Sequence, residues 1–240
     1  MDADSGGAPL RGPLMRVHWL ALLCWVMPTL AVVITYTISA ATGQVPTCFP
    51  FLEGCTSISG AARRDPSIHV FRGMMLPTAT VIAAYWILVR HWLGHLGDRG
   101  RGRDWITGLG VIGALFLVFY VVFLGTEGDA YEFMRRYGVT VYFAFTALAQ
   151  LLLAYRLRRL PAGLEAAVGT GLVRAKVGFC GAMLLFGLVN VPAKNFFPEW
   201  PVDNMVAWNF ALLMHGYFGL TAVAWRRAGY RLTAAFAAGR

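Results

Sequence analysis

Charge is what this chain has least of. Of its 240 residues only 14% are charged, and acids are the scarcer kind, 12 Asp and Glu against 21 Lys and Arg. A soluble domain carries about a quarter charged residues. With 58% hydrophobic residues and a mean hydropathy of +0.57, the composition excludes a water-solvated fold and suits a bundle bathed in lipid. Lysine is nearly missing: Lys176 and Lys194 are the only two, and arginine supplies every other basic group. With abundant Ala and Gly, that bias points to a GC-rich genome and so to a bacterial inner membrane. Familiar catalytic signatures are missing as well. There is no GxSxG, no HExxH, no phosphate-cradling glycine loop and no CxxC. The net charge of +9 does not imply nucleic acid, because the Arg-Gly stretch at 99–103 has no aromatic stacking platform beside it. No metal site and no cofactor is expected. His91 and His95 share a helix face, but no third ligand is in view.

What the chain does have is six long apolar runs, at 17–42, 70–90, 105–125, 137–155, 175–193 and 205–225. Each reaches the roughly 18–20 residues that a helix needs to cross a ~30 Å hydrocarbon core. The basic residues between them alternate sharply. Fifteen fall in the N-terminal segment, 90–104, 156–176 and the C-terminal segment, and six fall in 43–72, 126–136 and 194–204. Lys and Arg resist translocation, so the richer set marks the cytoplasmic side. The expected fold is all-α: a polytopic membrane protein with six transmembrane helices in one bundle and both termini cytoplasmic. Residues 1–16 read as a flexible tail with 1–10 disordered, 17–225 as the membrane domain, and 226–240 as a basic tail. The first run is too long for a cleavable signal core and reads as a retained signal anchor.

Cys24 and Cys180 fall inside helices, where small buried apolar residues are expected. Cys48 and Cys55 lie seven apart in the first outward loop. They can close a disulfide or stay as two thiols in a folded-back loop. Gly108, Gly110 and Gly113, then Gly178, Gly181 and Gly187, are expected to let helices approach closely. Prolines at Pro28 and Pro77 invite kinks in the first two helices.

Ionisable groups in a bilayer are costly, so their placement is the best guide to function. Most collect near the outward ends: His69 and Arg72, then Glu127, Asp129 and Glu132, then Arg135 and Arg136. Asn190, Lys194, Asp203, Asn204 and Asn209 complete the set. They can line one outward polar basin or serve as interfacial salt bridges and helix caps. His215 is the single titratable residue near the midplane. It can hydrogen-bond a carbonyl or take part in proton transfer or ligand binding.

Three stretches carry a resemblance. CTSISGAARRDPSIHVFRGMMLPTA, with Pro50 and Phe51 before it, contains Ser57 to Ser59, Pro66, and Phe71 with Arg72. GTEGDAYE supplies an acidic turn at Glu127, and NFALLMH lies in the sixth run. Together these resemble the Frag/DRAM/Sfk family of six-pass membrane proteins, whose members remodel GPI-anchor lipids, serve fungal cell walls or modulate autophagy. The resemblance implies a protein that handles or remodels lipids, or lipid-linked glycans, at the non-cytoplasmic leaflet. Its partners would be membrane lipids. On that reading Arg72, Arg136 and Lys194, with Asn190 and Asn209, would hold a phosphate or sugar headgroup. Two alternatives stand beside it. One is an acyl-transfer or hydrolysis enzyme with His215 or His69 as base and Glu127 or Asp203 orienting it. The other is a small-solute transporter.

Overall fold

The computed structural model describes residues 11–235, with side chains for all of these except 11–14, 191, 194 and 233–235. Strand β1 (Arg11–Arg16) leads into helix α1 (His18–Ala41). Two short helices follow, α2 (Pro50–Glu53) and α3 (Ile58–Ala62), and then the long α4 (Ser67–His95) and α5 (Gly102–Phe123). The chain continues through α6 (Asp129–Arg158), short α7 (Ala162–Val168), α8 (Thr170–Phe196) and α9 (Val202–Arg227), and ends in β2 (Arg231–Ala235). Helices α1, α4, α5, α6, α8 and α9 are long and apolar enough to cross a membrane. The fold is all-α apart from one two-stranded pairing.

The six helices pack as a ring in chain order, and contact between α1 and α9 closes it. An even number of spans returns the chain to its starting face, which we call the terminal face. There β1 and β2 pair antiparallel, Arg16 opposite Arg231 and Met15 opposite Leu232. Within the segment 1–16, expected to be flexible, Arg11–Arg16 is a strand, and its partner strand sits in the basic segment 226–240. Residues 1–10, expected to be disordered, lie outside the described residues.

The core near the terminal face is aromatic. Tyr85 meets Trp86 and Phe218 edge-on and Trp225 at a tilt, and Trp225 in turn contacts Trp92 and Tyr230. Such ring pairs add about 1 kcal/mol each beyond the area they bury. A side chain at Gly110 would collide with the Trp86 indole, and one at Gly113 with Thr146, so these two glycines let α5 approach α4 and α6. The glycines of α8 differ. A Cβ on Gly178, Gly181 or Gly187 would meet nothing, so the packing role expected of them is not the one they play. Helix α8 faces outward instead: Leu188 is 73% exposed, as a lipid-facing residue should be.

Segment boundaries also shift. The outward loop expected over 126–136 is mostly helix, since α6 begins at Asp129 and extends beneath the charged residues. Acids in that first turn, Asp129 and Glu132, complement the positive end of the helix. Likewise 156–176 is largely helical, with Lys176 inside α8.

Candidate functional site

The segment 43–66 joins α1 to α4 and folds back over the bundle as a cap. Cys48 and Cys55 are joined by a disulfide, closing a short loop around α2. Ser57 caps α3 by accepting from the Gly60 N–H at 2.9 Å. The cap is held to α1 by hydroxyls: Tyr36 Oη donates to the Cys48 carbonyl at 2.6 Å, and Ser39 Oγ donates to the Ala61 carbonyl at 2.6 Å. Helix α9 holds its other side. Asn204 Nδ2 donates to Gly54 O at 2.8 Å, Trp208 Nε1 to Thr56 O at 2.9 Å, and Asn209 Nδ2 to Phe51 O at 2.8 Å. Gly54 has φ +61 and lies against Pro201, so only a residue without Cβ fits that contact. Each bond satisfies a carbonyl that a loop buried at a membrane interface would otherwise leave bare.

Beneath the cap lies a cavity of about 180 Å³. Its walls are chiefly apolar, with Phe71, Met75, Leu117 and Ala211 among them. Its polar edge consists of Ser57 and Ser59 from the cap, Tyr120, Tyr142 and His215. His215 is buried, and its Nε2 sits 3.3 Å from the Tyr142 hydroxyl. The positive charges of Arg63 and Arg135 act on the Tyr120 hydroxyl at the cavity's outer end. Arg135 is the inward member of its pair, 20% exposed against 77% for Arg136, and both are ion-paired with Glu132, at 3.7 and 3.8 Å.

The other sequence candidates are dispersed. Arg72 donates from Nη2 to the carbonyls of Val122 at 3.1 Å and Leu124 at 2.7 Å, closing the C-terminus of α5. That satisfies carbonyls a helix end leaves open and engages Nη2 of the guanidinium expected to bind a headgroup, while its buried Nε has no partner among the described residues. His69 is 75% exposed and pairs with Asp65 at 2.8 Å, away from the cavity lining. Glu127 is exposed on the turn after α5. Asn190 Nδ2 donates to Asp203 Oδ1 at 3.0 Å, linking α8 to α9, and Asn209 is engaged by the cap and by the Met205 carbonyl. The side chain of Lys194 lies outside the described residues. Among these candidates only His215 lines the cavity. Arg72, His69, Arg136, Asn190, Asp203 and Asn209 serve as caps, ties and surface ion pairs.

Two features escaped sequence reading. Tyr142, the partner of His215, carries no mark within an apolar helix. Lys176 was counted among cytoplasmic rim charges, yet it is fully buried. Its Nζ donates to Thr221 Oγ1 at 2.6 Å and sits 3.5 Å from the centre of the Tyr217 ring. Thr221 in turn bonds the Tyr85 hydroxyl at 2.8 Å. The only available sequence signal was its position, seven residues inside α8 with apolar neighbours after it. No group of His, Cys, Asp or Glu suited to a metal exists among the described residues. Comparison with known protein families, with curated proteins and with solved structures finds no match.

Proposed function

We propose that the protein is a lipid-handling membrane protein that takes the apolar part of a lipid into the cavity beneath its cap. The observation that carries this reading is the composition of that cavity: chiefly apolar walls with a few polar side chains, Ser57, Ser59, Tyr120, Tyr142 and His215, set among them. A chain of CH₂ groups gains from the walls, and an ester or hydroxyl finds donors in Ser57, Ser59, Tyr142 and Tyr120. A phosphate or sugar headgroup would be met by Arg63 and by Arg135 in exchange for its Glu132 partner, in place of the Arg72 expected from sequence. With Lys176 buried, fourteen basic residues against six still separate the two faces. The terminal face is therefore cytoplasmic and the capped end opens to the other leaflet, where an oxidising compartment suits the Cys48–Cys55 bond. A bacterial inner membrane and membership of the Frag/DRAM/Sfk family belong to this proposal.

A second reading rests on one observation: His215 and two serines border the same cavity. It makes the protein an enzyme of acyl transfer or hydrolysis with His215 as the base.

Reconstitution of the full chain with a phospholipid bearing a photoactivatable acyl chain tests both. Crosslinks are expected on Met75, Tyr142 and Ala211, and Ala211→Trp, which fills the cavity, should reduce them about fivefold or more. Crosslinks confined to outward residues such as Leu188, and indifferent to A211W, would refute lipid entry. His215→Gln with crosslinking intact but lipid turnover lost would select the enzyme.

A further inference from the structure

A second cavity is larger than the one beneath the cap. A groove of about 530 Å³ opens at the terminal face between α1, α9 and the strand pair. Its floor is apolar and aromatic, formed by Trp19, Leu22, Trp25 and Val223. Gly219 leaves room for Trp25 to lie flat against α9, since any Cβ there would meet the indole. Its mouth is basic, with Arg16, Arg226, Arg231 and His18. No acid lines it.

The mouth is electrostatically incomplete. Strand register sets Arg16 directly opposite Arg231, and like charges in that position repel. Arg226 and Arg16 both press positive charge on the His18 ring. Among the described residues none of these three arginines has an acidic partner, although Arg90, Arg135, Arg136 and Arg156 all do. Three arginines with no acidic partner among the described residues, gathered over an aromatic slot, leave room for an anion with an apolar tail.

We infer that this groove binds one anionic phospholipid of the leaflet at the terminal face, its phosphate held by Arg16, Arg226 and Arg231 and an acyl chain lying along Trp19, Trp25 and Val223. The guanidinium forks suit phosphate oxygens. Basic pockets between membrane helices on the cytoplasmic side take such headgroups. The inference is independent of the capped cavity, which lies at the other end of the bundle.

The test is retention of lipid by the purified full chain in neutral detergent, read by native mass spectrometry with phosphatidylglycerol and phosphatidylcholine supplied equally. Phosphatidylglycerol should be kept at least tenfold over phosphatidylcholine, since each basic group at a lipid surface contributes roughly fivefold. Arg16→Gln with Arg226→Gln should bring the ratio down to about one, and the lysine pair R16K/R226K, which keeps the charge, should hold an intermediate ratio. Val223→Trp, which fills the slot without touching charge, should also lose the lipid. R99Q/R101Q, on the same face but outside the groove, should behave as wild type. Equal retention of the two lipids would overturn the inference. So would an equal loss in R99Q/R101Q, which would mean diffuse surface charge, or full displacement by millimolar inorganic phosphate, which would mean a free-anion site.

Discussion

The two ends of this bundle treat their polar groups in opposite ways. At the capped end, side chains are spent on the protein itself. Arg72 closes α5, Trp208 and Asn209 hold the cap, and Ser39 ties α1 to the cap, so what is left beneath is an apolar cavity with a few donors. At the terminal end, three arginines are assembled above a slot of indoles with no acidic partner among the described residues. Satisfied groups build walls, whereas unsatisfied ones advertise for a ligand. Residue type alone does not distinguish these roles, because arginine plays both.

Breaking the capped end should cost the most. Arg72→Met removes the donor to the Val122 and Leu124 carbonyls, and burying those acceptors unpaired should cost about 2–3 kcal/mol, seen as a lower thermal unfolding midpoint in micelles. Its lipid retention at the terminal groove should not change, and a parallel loss there would show the two ends to be coupled. Somewhat smaller is the double change Cys48→Ser with Cys55→Ser. Opening that short loop should destabilise the cap by about 2 kcal/mol, measured as faster tryptic cleavage at exposed Arg63 and Arg64. Smallest, and of opposite sign, is Arg231→Gln. Relieving the repulsion across from Arg16 should stabilise the lipid-free protein by roughly 0.5 kcal/mol. A destabilised R231Q in lipid-free micelles would show that the arginine is engaged within the protein after all.

Much of the architecture was legible in the sequence because membranes impose a simple code. Length and hydropathy locate six spans, and an even count brings the ends together. The code falls silent where contacts are long-range. Nothing near Thr56 signals that Trp208 will bond it, and a loop dense in Pro, Phe and Cys reads as irregular rather than as a cap. Helix α6 began earlier than the apolar pattern suggested because its first turns, Asp129 to Arg136, are polar and stand beyond the apolar run. Lys176 was misplaced for a related reason: a lysine seven residues into α8 has the same hydropathy whether it reaches the surface or turns inward to Thr221. His215 was recognisable by depth alone, but the cavity it borders draws walls from α1, α3, α4, α5, α6 and α9, which only the closed ring brings together.

The pairing of β1 with β2 also sets an order in time. Arg16 leaves the ribosome before the six long helices and Arg231 after them, yet the register puts them face to face. Their meeting requires that every helix between them already be made. The basic mouth of the groove thus assembles only once all six helices exist. A chain stalled partway through synthesis, or with a single span inverted, would never form it.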